Sequence, residues 1–184
     1  NPNTNLKLSI NTNLGIPDKI YDKFLAKMIE LEESGRIKEL TVFTSVDTFG
    51  EQAEYARNGL DFPIWQKRVD ELLSKTTKLS IAIMSTFNAL SILRYGELLE
   101  WVFEMKTLHN SPDRYWVTAL TLDSAYLRYP HHQTVKILPR EFKERLEEFV
   151  TQAETMHTVK PLWEIEDWKD HYLGFTQIEI GKIK

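Results

Sequence analysis

The stretch LTVFTSVDTFGEQAEYARNG, residues 40–59, carries the pattern that decides the fold. It begins with an apolar, β-branched and aromatic run, which is typical of a buried strand. The run ends in Ser45 and Asp47, and Arg57 follows in the next segment. Polar side chains at a strand end are either simply exposed to solvent or arranged together to bind a polar ligand. Both interpretations remain open at this point.

Apolar runs like this one recur along the chain and predict a repeating unit. The predicted strands begin roughly 35 residues apart, which is the length of one strand, one helix and two loops; they cover residues 6–12, 40–45, 79–86 and 115–122. Apolar residues at helical spacing lie between and after them, and the predicted helices cover residues 17–34, 62–75, 97–108 and 140–154. Pro17 suits the first turn of the first helix, Gly35 its stop, and Asp61 the cap of the second.

Strand–helix alternation predicts an α/β fold with a parallel sheet and right-handed crossovers. Every predicted strand ends near a hydroxyl, carboxylate or amide, which is where a (β/α) barrel builds its active site. The chain has neither a G-x-G-x-x-G nor a G-x-x-x-x-G-K-[ST] phosphate loop, so a barrel is favoured over a doubly wound nucleotide-binding sheet. Eight barrel units need about 250 residues. We therefore predict a partial barrel of about four βα units over residues 1–155 and a C-terminal extension over residues 156–184.

Composition excludes several kinds of site. There is no cysteine, so disulfides, thiol nucleophiles and thiolate metal sites are excluded. The formal net charge is −4, and no basic run suggests nucleic acid as a partner. No apolar run is long enough to predict a membrane span, and we expect a cytoplasmic location. His131 and His132 stand in a loop without further ligands at metal spacing.

The polar strand ends predict a small polar ligand. Ser45 and Asp47 can donate to and accept from hydroxyls and amines, and Arg57 offers a planar fork that suits a carboxylate or phosphate. The alternative is that Arg57 pairs with Glu54 on the helix surface, a pair of little energetic value.

Several of these stretches, taken in order, resemble the radical S-adenosylmethionine (radical SAM) enzymes, and in part their twitch-type members. The matching stretches are INTNLG (10–15), TSVD (44–47), EYARNG (54–59), TFN (86–88) and TLDSAYLRYP (121–130). In that family, strands three to five of the barrel end in a T-N turn, an S-x-D motif with a following arginine, and an asparagine. The resemblance implies that residues 1–155 correspond to strands three to six of such a barrel.

The resemblance also implies roles for individual residues. Ser45 would contact the ribose or the amino group of S-adenosylmethionine, and Asp47 would lie in the same pocket, nearer the substrate. Arg57 would hold the methionyl carboxylate. Asn13 and Asn88 would lie at the rim of the pocket.

The chain departs from the family in one respect. The C-x-x-x-C-x-x-C loop, which holds a 4Fe–4S cluster in the family, and the G-G-E turn are both absent. We expect them upstream of Asn1, so that this chain alone binds no iron and is inactive. The complete protein would generate a 5′-deoxyadenosyl radical and modify an unidentified substrate, with an electron donor such as flavodoxin or ferredoxin. The alternatives are a cluster-free (β/α) binding module, or a fragment of another (β/α)₈ lyase or isomerase, holding an anionic metabolite at the strand ends.

Overall fold

The computed structural model describes residues 5–110, 118–142, 144, 148 and 151. The described strands form one four-stranded sheet in which every neighbouring pair is parallel and the strands follow sequence order; they are β1 (Leu6–Asn11), β2 (Ile37–Ser45), β3 (Ser80–Phe87) and β4 (Leu120–Tyr126). The connecting helices are α1 (Asp18–Glu33), α2 (Glu51–Ala56), α3 (Phe62–Lys75) and α4 (Tyr95–His109). Two short 3₁₀ helices follow β4, His131–Gln133 and Val135–Ile137. The predicted α/β alternation is confirmed.

Local capping explains where the helices begin and end. Helix α1 begins after Pro17 and ends at Ser34, and Gly35 has the left-handed φ of 62° that commonly ends a helix. Helix α3 begins at Asp61, whose carboxylate accepts a hydrogen bond from the Ile64 N–H at 3.0 Å. Asp61 is the cap that the sequence predicts for α3, whereas Pro17, predicted in the first turn of α1, stands one residue before that helix. Most of the predicted helix 140–154, and all of the extension 156–184, lie outside the described residues.

The prediction of the fourth strand was wrong at its end. The predicted strand covers residues 115–122, of which 115–117 lie outside the described part of the chain and 118 and 119 precede the observed strand. The observed β4 continues to Tyr126, which pairs with Phe87 of β3. Ser124 is accommodated within the strand because its hydroxyl shares a hydrogen bond with Tyr95 of α4. Asp123 therefore lies within the strand, and the sequence pattern could not show this because a polar pair usually marks a strand end.

Helices α1, α3 and α4 cover the same face of the sheet. Trp65 of α3 donates its indole N–H to the Thr44 hydroxyl of β2 at 2.8 Å, and its ring lies 5.2 Å from that of Trp101 in α4. The Tyr21 hydroxyl of α1 donates to the backbone carbonyl of Arg68 in α3 at 3.0 Å. The completely buried strand residues beneath these helices include Val42, Ile81, Ile83 and Leu120. A doubly wound sheet would instead place helices on both faces.

The other face of the sheet, here called the second face, carries mainly polar and small side chains. Side chains alternate along a strand, so this face comprises residues 7, 9 and 11 of β1, 39, 41, 43 and 45 of β2, 80, 82, 84 and 86 of β3, and 121, 123 and 125 of β4. Lys7 and Glu39 form an ion pair at 2.7 Å near the amino ends of the strands. At the carboxyl ends, Met84 is 37% exposed.

Glu32 fastens the amino end of β3 to α1. One of its carboxylate oxygens accepts from the Thr77 N–H at 2.7 Å, and the other from the Lys78 and Leu79 N–H groups, both at 2.9 Å. Burial alone would raise the pKa of Glu32, but these backbone hydrogen bonds outweigh it and lower the pKa. This contact stabilises the end of the sheet that lies away from the predicted site.

Candidate functional site

Asp47 and Arg57 form a bidentate ion pair at the carboxyl end of β2. Arg57 donates from Nε to Asp47 Oδ2 at 2.8 Å and from Nη2 to Oδ1 at 3.0 Å. Asp47 is buried, with 7% of its surface exposed, whereas about a third of the Arg57 side chain is exposed (34%). The carboxylate therefore sits beneath the surface and holds a guanidinium that reaches the surface.

Asp47 also ties β2 to β3. The Val46 N–H donates to the Met84 carbonyl at 3.2 Å, which is the last regular bond between these two strands. The next donor on β3 is the Thr86 N–H, and it donates to Asp47 Oδ1 at 2.7 Å. The side-chain oxygen thus replaces the backbone carbonyl that would accept in a regular parallel ladder. Asp47 has a fixed position because it follows β2, accepts from Thr86 of β3 and pairs with Arg57, the residue that follows α2.

The ion pair leaves part of the guanidinium available. Arginine has five N–H donors, and Asp47 uses two of them, on Nε and Nη2. Within the described part of the chain, no hydrogen bond from Nη1 is formed. The edge made by Nη1 and the second Nη2 donor is here called the outer edge. It can donate two parallel hydrogen bonds to an anion, in the same fork geometry.

The alternative pairing of Arg57 with Glu54 is not what the structure contains. Glu54 Oε1 accepts from the Phe62 backbone N–H at 2.8 Å, so it caps the start of α3. Arg57 lies immediately after α2, where its backbone N–H donates to the Ala53 carbonyl at 2.9 Å. The loop geometry therefore directs the guanidinium towards the sheet.

Ser45 lies on the second face, in register with Met84 of β3 and, through it, with Asp123 of β4. It is half-buried. Thr44, one residue earlier, points to the helices, where it accepts from Trp65. The alternation along the strand places Ser45 on the opposite face from Thr44, at the carboxyl end of the sheet.

Asn13 and Asn88 stabilise local turns. Asn13 Oδ1 accepts from the Gly15 N–H at 2.9 Å, after β1. Asn88 Oδ1 accepts from the Leu90 N–H at 2.8 Å, and its Nδ2 donates to the Thr86 carbonyl at 2.8 Å. Both are turns in which an asparagine side chain imitates the backbone. Each residue lies at the carboxyl end of its strand, and the side-chain oxygen and nitrogen of Asn88 both bond to backbone groups two residues away.

Arg68 of α3 supports the loop after β1, and no sequence motif indicates this role. Its side chain is 5% exposed, and Nη1 donates to the Leu14 carbonyl and to the Ile16 carbonyl, the latter at 2.7 Å. Its guanidinium also lies 4.6 Å from the Tyr21 ring centroid. Leu14 is completely buried and has a left-handed φ of 55°, which is unfavourable for a residue other than glycine. Arg68 therefore holds a strained loop in place.

Tyr95 occupies a buried polar cluster between α4 and the ends of β3 and β4. Its hydroxyl shares a hydrogen bond with Ser124, and the Ser85 hydroxyl lies near enough to favour the ionised phenol without meeting hydrogen-bond geometry. Burial is the main cause that raises the pKa of Tyr95 to about 12, and the nearby Asp47 and Asp123 carboxylates add to the effect. Burial, followed by Glu71, also raises the pKa of Tyr21 well above its usual range.

Because the pKa values of Tyr21 and Tyr95 are raised in the folded state, we expect the protein to lose stability at alkaline pH. A phenol whose pKa is higher in the folded state than in the unfolded state stabilises the fold fully below about pH 10. That contribution disappears as the pH rises from about 10 towards the folded pKa of about 12. We expect chemical-denaturation midpoints to fall over this range, and less steeply in Tyr95→Phe. Tyr55→Phe is the control because Tyr55 is 80% exposed, and an equal change in both variants would contradict the assignment.

Comparison with known proteins adds no further relationship. No protein-family model, no curated protein and no solved structure matches this chain. Among the described residues, no group of three or more histidine, cysteine, aspartate or glutamate side chains is arranged to hold a metal ion. None of the helices in that part of the chain combines the length and the hydropathy that a membrane span requires. The arrangement at the carboxyl ends of β2 and β3 is therefore the starting point for function.

Proposed function

We propose that this chain is part of a radical SAM-type (β/α) barrel and contributes one side of an S-adenosylmethionine pocket. The observation that carries the proposal is the orientation of Arg57 by Asp47. A buried carboxylate holds the guanidinium by one edge and leaves the outer edge at the surface. An arginine fixed in this way loses little conformational freedom when it binds a carboxylate, so the affinity per contact is higher than for a mobile side chain.

Different residues would make the individual ligand contacts. The outer edge of Arg57 binds the methionyl carboxylate, and the Ser45 hydroxyl contacts the ribose or the amino group from the second face. Asn13 and Asn88 remain at the rim as parts of the turns that shape it. Asp47 acts as a positioning residue, because its oxygens already accept from Arg57 and from the Thr86 N–H. The one-sided placement of the helices supports the barrel, since a barrel likewise keeps its helices on the outer face.

A 4Fe–4S cluster does not fit the residues of this chain. Such clusters are held by cysteine thiolates, and the chain has none. The proposed role of this chain is therefore limited to binding the cofactor and its neighbouring substrate, and no chemical step is assigned to its residues.

A second candidate is a cluster-free module that binds an anionic metabolite. The same outer edge of Arg57 favours this module, because a guanidinium fork can donate to any carboxylate or phosphate. The two candidates differ in what they require beyond the anion. An S-adenosylmethionine pocket also gains affinity from the nucleoside, whereas the simpler module binds methionine as tightly as the complete cofactor.

Calorimetric titration with S-adenosylmethionine tests the proposal. Arg57→Ala is expected to weaken binding by about 1.5–3 kcal/mol, the range for a hydrogen bond to a charged group. Arg57→Lys should recover only part of this, because an ammonium keeps the charge but loses the fork. Arg36→Ala is the control, since Arg36 is an exposed arginine beyond the end of α1. Thermal melts show whether each variant is folded.

Two results would count against this assignment. Affinity in Arg57→Ala that stays within about twofold of the unaltered chain would remove Arg57 from the site, since a direct contact is worth more than that. Equal affinity for methionine and S-adenosylmethionine would favour the anion-binding module.

A further inference from the structure

Helix α2, which Arg57 follows directly, is too short to hold its own position. It covers only Glu51–Ala56, and an isolated helix shorter than about 12 residues is marginal in water. Tertiary contacts must therefore fix it. At its carboxyl end these contacts are the ion pair of Arg57 with Asp47 and the hydrogen bond from the Phe62 N–H to Glu54. The contacts at its amino end complete the support of the segment that presents the guanidinium.

The loop between β3 and α4, residues 88–94, holds the amino end of α2. The completely buried Thr48 donates its hydroxyl hydrogen to the Ser91 carbonyl at 3.0 Å. The Gln52 side-chain amide donates to the Leu90 carbonyl. Both hydrogen bonds cross from one βα unit to the next, and both end on backbone carbonyls of the same loop.

Arg94, the last residue of this loop, makes the third contact. Its guanidinium carbon lies 5.3 Å from the centroid of the Phe49 ring, and a Cβ atom at Gly50 would collide with its Nη1. Gly50 immediately precedes α2 and has a left-handed φ of 60°. Glu97 orients the guanidinium by accepting from Nε at 2.7 Å and from Nη2. The planar group of Arg94 therefore packs against the turn from which α2 begins.

We propose that Arg94 is a positioning residue for Arg57. It acts through the segment from Phe49 to Arg57, because a shift of the turn at Gly50 moves α2 and the guanidinium that follows it. Asp47 then no longer accepts both Arg57 donors with the same geometry, and the outer edge loses its fixed orientation. The effect on ligand affinity rests on the proposed function, whereas the effect on the ion pair between Arg57 and Asp47 does not.

Hydrogen exchange of the Arg57 Nε–H tests this positioning directly. The group donates to Asp47 Oδ2 at 2.8 Å, so its proton should exchange more slowly than the Nε–H proton of the exposed Arg36. NMR spectra of the isotope-labelled chain report the exchange, and the signal is assigned by its loss in Arg57→Ala. We expect Arg94→Ala to accelerate the exchange about fivefold, a change typical of coupled residues in one network. The backbone amide of Val42, buried in β2, is the reference for global opening.

Arg140→Ala is the matched control. Arg140 also pairs with a glutamate one helical turn later, Glu144 at 3.0 Å, and its side chain is 89% exposed, so its loss should leave the Arg57 exchange unchanged. Arg94→Lys is a milder second variant and should show part of the effect, since an ammonium does not stack as a planar guanidinium does. Equal acceleration of the Arg57 proton and the Val42 amide in both Arg94 variants would indicate a general loss of stability and overturn the inference.

Ligand binding separates this inference from the proposed function. S-adenosylmethionine affinity should fall about fivefold in Arg94→Ala, and adding this change to Arg57→Ala should cause no further loss. If Arg57→Ala does not change the affinity while Arg94→Ala accelerates the exchange, the proposed function fails and the positioning role stands. If Arg57→Ala weakens binding but the exchange in both Arg94 variants stays within about twofold of the unaltered chain, the positioning role fails alone.

Discussion

Replacing Arg68 by methionine is expected to lower the free energy of unfolding by about 2–4 kcal/mol, because two backbone carbonyls lose a charged donor. A buried acceptor that is left without its donor costs about 1–3 kcal/mol. Here the loss would leave the carbonyls of Leu14 and Ile16 without their donor. The ion pair with Asp18 contributes little to this figure, because the Asp18 side chain is 91% exposed. Urea denaturation measures the change.

The position of Arg68 allows a close control. Lys67, the preceding residue of α3, is exposed, and Lys67→Met should change stability by no more than about 0.5 kcal/mol. Arg68→Lys should recover only part of the loss, because one ammonium cannot reach both carbonyls with the geometry of a fork. A loss in Arg68→Met of less than about 1 kcal/mol would mean that the loop after β1 does not depend on this side chain.

Replacing Asp47 by alanine is expected to lower the free energy of unfolding by about 2–3 kcal/mol. The change removes the acceptor of the Thr86 N–H, which then has no partner at the end of the ladder between β2 and β3. It also removes the partner of Arg57, but the exposed third of that side chain can be hydrated, which limits this part of the cost. The same variant should bind S-adenosylmethionine more weakly, because Arg57 is no longer held.

Asp47→Asn separates the two roles of the carboxylate. An asparagine oxygen can still accept from the Thr86 N–H, so part of the stability should return, but it cannot accept both Arg57 donors as a carboxylate does. Asp61→Ala is the control for a nearby aspartate: it removes the cap of α3 and should cost about 1 kcal/mol without affecting ligand affinity. Full stability in Asp47→Ala would contradict the described link between β2 and β3.

Much of the fold was predictable because its determinants are local. Helix α3 follows from its cap Asp61 and from the helical spacing of apolar residues such as Val69 and Leu72. The order of the strands follows from their regular spacing, since short right-handed crossovers bring consecutive strands together. These signals need no knowledge of distant residues.

The parts that could not be predicted depend on distant contacts. Arg68 is buried because its acceptors lie on a loop 52 and 54 residues away in sequence, and an arginine in a helix pattern normally indicates an exposed position. The end of β4 depends on pairing with β3 and on the contact between Ser124 and Tyr95. The positions of Ser45, Asp47 and Arg57 in the sequence predict that they lie near a strand end, but the sequence does not show that Asp47 and Arg57 bind each other.

Mapping the binding of S-adenosylhomocysteine onto the chain by amide NMR would decide whether the carboxyl ends of β2 and β3 hold this class of ligand. We expect saturable shifts at residues 45–47, at Arg57 and at residues 84–88. We expect none near Glu32 and residues 77–79, where the opposite end of the sheet is bonded to α1. Shifts concentrated at that opposite end or on the outer surface of the helices, or no saturable shifts at all, would contradict the proposed pocket.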